Sequence, residues 1–146
     1  MLLKKLILMS KLNVKVNGVE EVNRELERRF GGKSMERILD KALLSGAAVI
    51  KKELERNLGA YEGTKYSTGA SKDEITISKP MTLNGTRTVV IHWSGPKKRY
   101  TIIHLNEFGT IKNPSPRGKG AVERALRAGK AEYLRVVKQE IGRMIS

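Results

Sequence analysis

Apolar and polar residues alternate through Lys11-Leu12-Asn13-Val14-Lys15-Val16-Asn17, the pattern of a strand with one buried face. Asn17 followed by Glu20 supplies the residue types of a helix start. Val19, Val22, Leu26 and Phe30 then share one helical face until Gly31-Gly32 ends it. A longer helix is predicted from about Ser34. Its apolar stripe is Met35, Leu39, Ala42, Leu43, Gly46, Ala47, Ile50, Leu54 and Leu58, three and four residues apart. Glu36, Arg37, Lys41, Lys51, Lys52, Glu55 and Arg56 occupy the other face. Gly46 stands in the small-residue run Ser45-Gly46-Ala47-Ala48, where a helical glycine costs about 1 kcal/mol relative to alanine. The expected compensation is close approach of another backbone.

Residues 59–72 are rich in Gly, Ser, Thr, Lys and Tyr and read as a surface loop. Two strands are predicted next, Glu74 to Lys79 and Arg87 to Trp93. Asn84-Gly85 between them signals a hairpin, and Pro80 ends the first strand or sits at an edge. Ser94-Gly95-Pro96 is a turn. Residues 99–108 fit either a third strand or a short helix, and Asn113-Pro114-Ser115-Pro116 breaks regular structure. A last helix begins near Lys119, with Val122, Ala125, Leu126, Tyr133, Val137, Ile141 and Met144 on one face. The sum is an α+β domain over residues 11–146: a small antiparallel sheet packed against a long central helix and a C-terminal helix. Residues 1–10 read as a first strand, a tail, or an artefactual extension upstream of Met9.

The length, 146 residues, is that of one domain with a core of its own. Apolar residues make up 39% and charged residues 30%, and cysteine is absent. Disulfides and thiolate chemistry are therefore excluded. The net charge is +14, with 15 basic and 10 acidic residues in 1–73 against 14 and 5 in 74–146. Such a charge is either a solvated surface or a complement to nucleic acid or an acidic protein face. Leu6 to Met9 is too short an apolar run for a secretion signal, and no run is long enough to span a bilayer, so no membrane is expected as a partner.

Catalytic chemistry finds little footing. The G-x-S-x-G elbow is missing, and His92 and His104 are the only histidines. His92 falls on the polar face of a predicted strand. His104 and Glu107 have the His-x-x-Glu spacing of two metal ligands but lack a third nearby; the simpler reading is a hydrogen-bonded pair that orients the following turn. Arg117-Gly118-Lys119-Gly120 precedes a helix, as phosphate sites do, without the P-loop spacing, and reads first as a flexible basic joint. Lys97, Lys98 and Arg99 form one basic group, and Lys112, Arg117 and Lys119 another. No enzyme activity, cofactor or metal is expected.

Three stretches in order resemble a known family. They are Val16-Asn17-Gly18-Val19-Glu20-Glu21-Val22 leading to Arg28-Arg29-Phe30; Lys41 through Glu53, around Gly46; and Gly95-Pro96, Tyr100, then His104-Leu105-Asn106-Glu107-Phe108-Gly109-Thr110 before prolines and the last helix. Together they are similar to the small neck and minor tail proteins of long-tailed bacteriophages and prophages, the head–tail joining or tail-completion proteins, over about residues 12–140. Members often carry a proline before a Thr-Gly in the loop after the long helix; here Thr68-Gly69 lacks it. The resemblance implies a non-enzymatic virion protein, assembled in the host cytoplasm into a homo-oligomeric ring, commonly a hexamer. That ring would contact neighbouring neck and tail-terminator or tube proteins, with genomic DNA passing through its lumen. It marks Gly46, Tyr100, His104, Glu107, Phe108, Gly109 and Thr110 as structural motif residues. Lys97, Lys98, Arg99, Lys112, Arg117 and Lys119 would face DNA or an acidic partner. Within the motif, Phe108 is expected to anchor the turn in the core and Gly109 to take a backbone conformation that other residues avoid. The alternative suggested by charge alone is a basic nucleic-acid-binding or packaging accessory protein.

Overall fold

The computed structural model describes residues 14–16, 28, 32–59, 70–101, 103–116 and 119–145. In chain order these form β1 (Val14–Val16), α1 (Gly32–Gly59), α2 (Ala70–Asp73), β2 (Ile75–Ile77), β3 (Met81–Leu83), β4 (Thr86–Trp93), a 3-10 turn (Arg99–Thr101), α3 (Ile103–Phe108) and α4 (Ala121–Ile145). The helix expected over 19–30 lies outside the described residues apart from Arg28, as do residues 1–10 and most of the predicted 59–72 loop. The end of that loop is the helical turn α2.

Strand β4 organises an antiparallel sheet. It pairs with β1 through Val14↔Ile91 and Val16↔Val89, with β2 through Ile75↔Trp93 and Ile77↔Ile91, and with β3 through Met81↔Thr88 and Leu83↔Thr86. Between the last two registers Ser78-Lys79-Pro80 oppose only Val89 and Val90, which is a bulge. Ser78 holds it: its amide donates to Val90 O at 2.8 Å, and its Oγ accepts the Val90 amide at 2.9 Å. Proline, which has no amide to donate, is tolerated there. The strand predicted over Glu74 to Lys79 is β2, the stretch read as a connection holds a further strand, β3, and the Asn84-Gly85 hairpin joins β3, not β2, to β4. Asn84 and Gly85 both have positive φ, 51° and 77°, as the tight hairpin turn demands.

Val89, Ile91 and Trp93 on β4, with Ile75 on β2, turn one face of the sheet onto α1. Leu39, Leu43, Ala47, Ile50 and Leu54 meet them from the helix. Each fully buried aliphatic side chain of this kind contributes about 1.5–3 kcal/mol relative to exposure. Asp40 and Arg87 tie the helix to the sheet at the margin of this layer. Nε donates to Oδ1 at 2.7 Å and an Nη to Oδ2 at 3.0 Å, a planar two-point pairing that holds the guanidinium above its ordinary pKa.

Helix α4 packs along α1, burying Val122, Ala125, Gly129, Tyr133, Val137 and Ile141. The expected class therefore holds, with α1 central. Gly46 is where the two helices close up, although the group that approaches is not a backbone. A Cβ at Gly46 would lie 2.5 Å from the Tyr133 ring and 2.8 Å from a Val137 methyl. Gly129 is the reciprocal gap, 3.0 Å from Ile50 Cδ1 by the same measure. Burial raises the Tyr133 hydroxyl far above its ordinary pKa and keeps it neutral.

Candidate functional site

Of the residues that carry the resemblance, Glu107, Phe108, Gly109 and Thr110 lie where α3 meets the start of α4. The first turn of α4 leaves backbone amides without intrahelical acceptors. Glu107, on α3, fills that need: Oε1 accepts the Val122 amide at 2.8 Å and Oε2 the Glu123 amide at 3.0 Å. Its own carbonyl accepts the Gly120 amide at 3.0 Å. A carboxylate suits the positive end of a helix. Glu107 is buried, and that burial, the largest influence, holds its carboxyl above the ordinary glutamate range; the two amides pull the other way without prevailing.

The turn after Glu107 is equally constrained. Gly109 closes α3 by donating to Leu105 O at 2.8 Å, and its φ of 80° lies in the left-handed region that favours glycine. A Cβ there would also strike Pro114 O at 2.5 Å. Thr110 and Asn113 pin the return: Thr110 N donates to Asn113 O at 2.9 Å, and Thr110 Oγ1 accepts the Asn113 amide at 3.0 Å. Lys119 Nζ reaches Pro114 O at 2.7 Å. The segment expected as a flexible basic joint is, at Lys119 and Gly120, bonded into place; Arg117 lies outside the described residues. The amides that a phosphate would need at this helix start are already held by Glu107.

Two expectations for this motif are corrected. Phe108 does not anchor the core; it is 41% exposed, because Ile103 and Glu107 take the inward positions of α3. His104 and Glu107 are not a hydrogen-bonded pair. Both Glu107 oxygens serve α4, and His104 Nδ1, although buried, has no partner among the described residues. The ambiguous 99–108 stretch is helical in its described residues, a 3-10 turn at Arg99–Thr101 and an α-helix at Ile103–Phe108.

The Lys97-Lys98-Arg99 group has an internal reason for its shape. It wraps a buried carboxylate, that of Glu74, whose Oε2 accepts the Lys97 amide at 2.7 Å and Oε1 the Arg99 amide at 2.9 Å. Gly95 is required because a Cβ would fall 2.7 Å from that carboxylate. Arg99 Nε donates to Ser71 Oγ at 2.8 Å, and Trp93 Nε1 to Ser71 O at 2.7 Å. Burial lowers the Arg99 pKa, with Glu74 opposing. Lys97 and Lys98 are exposed. Glu74 was not singled out from the sequence; a glutamate opening a strand gives no sign of binding a turn some twenty residues on. Tyr100 packs against the core edge, while Gly46 belongs to the α1–α4 seam. His92 sits half-buried on the sheet face opposite the core, paired with Thr76.

Outward from α3 stand Leu105 and Phe108, one helical turn apart, and then Ile111, which is fully exposed. Among the described residues no group of three or more His, Asp or Glu side chains is placed to hold a metal ion, and no helix is long and apolar enough to cross a membrane. No family model, curated protein or solved structure matches the chain. Leu105, Phe108 and Ile111 thus form an exposed apolar crest along α3 and the turn that follows it.

Proposed function

We propose that this chain is a structural subunit of a long-tailed phage or prophage particle, acting in a ring at the head–tail junction through which DNA passes. The observation that carries the reading is the use made of the Glu107-Phe108-Gly109-Thr110 element. Glu107 caps α4, Gly109 and Thr110 shape the turn, and Phe108 is left to the outside. Glu107, Gly109 and Thr110 hold in place the surface that Phe108 presents, and a ring is built from such surfaces repeated around an axis. The basic excess suits a subunit close to phosphate or to an acidic neighbour. The subunit interfaces are expected on the sheet edge and projecting loops.

Light scattering at low and high salt, with and without duplex DNA, tests the reading. A discrete ring-sized oligomer that DNA does not alter supports it. A monomer whose mass changes only with DNA, with affinity falling steeply as salt rises, favours a packaging accessory protein instead.

A further inference from the structure

The α3 crest is flanked mainly by cations; the neighbouring carboxylates are engaged within the chain, Glu74 by the amides of Lys97 and Arg99 and Glu123 by Arg127. From Ile75 to Val122 the only carboxylate in the sequence is Glu107, and it is buried beneath α4. Four lysines of the same stretch flank α3 in sequence on its two sides. Lys97 and Lys98 precede it directly: Lys98 O accepts both the amide and the hydroxyl of Thr101, at 3.1 and 2.7 Å, immediately before α3 begins. Lys112 follows Ile111, and Lys119 is held against Pro114 O, the same carbonyl that crowds Gly109. All four lysines are exposed. The crest is thus apolar at its centre and cationic at its rim.

We infer that the Leu105-Phe108-Ile111 crest is a docking surface for an acidic protein partner, one presenting an apolar pocket edged by Asp and Glu. The inference supplies the partner chemistry for the ring reading and rests on it only for where that partner sits. Charge complementarity selects the occupant. A second copy pressed crest to crest would set lysines on lysines. A second copy offering another face brings the same net charge of +14, and among the described residues Asp40, Glu53, Glu123, Glu132 and Glu140 face arginines of their own chain, with Glu74 bonded to its own turn. Nucleic acid is the poorer match as well. Leu105 and Ile111 cannot stack on bases, a single aromatic makes no platform, and phosphate contact leaves the apolar groups unused. Three apolar side chains framed by polar ones are the anatomy of an interface centre, where a few buried residues carry most of the affinity.

The test uses the full chain and a labelled amphipathic peptide of Glu, Leu and Phe as the probe, read by fluorescence anisotropy. A Glu/Ser peptide of equal charge and a short DNA duplex serve as controls. The wild type is expected to bind the amphipathic peptide at least about tenfold more tightly than the charge-only peptide. The triple variant L105S/F108S/I111S, and separately K97Q/K98Q/K112Q, are each expected to lose about tenfold. Ile111→Ser alone, at a fully exposed position, should lose affinity without any change in melting temperature and so separates contact from folding. Failure of the wild type to bind, equal binding by the charge-only peptide, or undiminished binding by the apolar variants overturns the inference. So does DNA affinity that falls in the apolar variants, which would make the crest a nucleic-acid contact. An oligomer that dissociates in those variants would make it a copy-to-copy contact. The wild-type mass is a separate readout, so the ring reading stands or falls independently.

Discussion

Gly46→Ala should destabilise the protein, although alanine is the better helix former. Alanine in place of a helical glycine gains about 1 kcal/mol from propensity alone. At position 46 the new methyl would sit 2.5 and 2.6 Å from two carbons of the Tyr133 ring and 2.8 Å from Val137 Cγ2, distances that real Cβ atoms do not adopt. Tyr133 cannot swing aside cheaply, because it is itself buried between the helices. Overpacking a close-packed seam costs typically 1–3 kcal/mol, and two short contacts with a pinned ring and one with Val137 place this site at or above the upper end. The net expectation is a loss of about 2 kcal/mol, equivalent to roughly 6 °C in melting temperature for a chain of this size. Urea unfolding followed by far-UV circular dichroism measures it. Gly142→Ala is the matched control: it lies in α4, exposed, with nothing within 4 Å of its Cβ position, and should stabilise by up to about 1 kcal/mol. In a Tyr133→Leu background the penalty at Gly46 should shrink, since the ring that causes it is gone. If Gly46→Ala proves as stable as the wild type, or if the penalty is unchanged without the ring, the packing argument is wrong.

Phe108→Ala should lose less than about 1 kcal/mol, as exposed substitutions do, whereas Ile103→Ala, one face of α3 away and buried, should lose about 2–5 kcal/mol; denaturant midpoints of the two variants decide it. Asp40→Ala should cost about 1–2 kcal/mol by stripping Arg87 of its two-point partner, and Arg87→Ala should add little once Asp40 is gone. For Glu107 the sign of the pH effect follows from its raised pKa. Protonation favours the folded state, so the wild type should gain stability relative to the non-titrating Glu107→Gln as pH falls from neutral toward 4.5, its ordinary value, and give up that contribution as pH rises. Paired urea melts across that range would show the wild type losing ground on acidification if the assignment were wrong.

The helices and the core were legible in the sequence because their signal is local. The stripe from Leu39 to Leu54 and the stripe from Val122 to Ile141 are the buried faces of α1 and α4, and a 3.6-residue period needs no knowledge of what lies opposite. The Asn84-Gly85 turn was legible for the same reason. Its partner strand was misassigned, because a bulge held by a serine hydroxyl leaves no periodic trace. The site was half visible. Gly109 announced an unusual backbone, but whether Phe108 points in or out depends on which face of a six-residue helix meets the core, and one turn and a half is too short for a period to show. Glu107 could be singled out but not assigned: its partners are amides of Val122 and Glu123, and an amide contact carries no side-chain signature. The same blindness hid Glu74.

Those two glutamates explain more than their own turns. With 29 lysines and arginines in the chain, each buried carboxylate has cations to choose from, yet both accept paired backbone amides instead. Amides at a helix start or in a tight turn are fixed dipoles already aimed at one point, so they bind an anion without ordering a long side chain and without burying a second charge. Around α3, Glu107 lies beneath the start of α4 while Lys97, Lys98, Lys112 and Lys119 are exposed. Replacing Glu107 would therefore act on α4 and leave the rim cations in place, while replacing Lys97, Lys98 and Lys112 would remove the rim and leave α4 capped. The capping of α4 and the exposed lysines are thus separable at this turn, because Glu107 is directed inward and Lys97, Lys98 and Lys112 are directed outward.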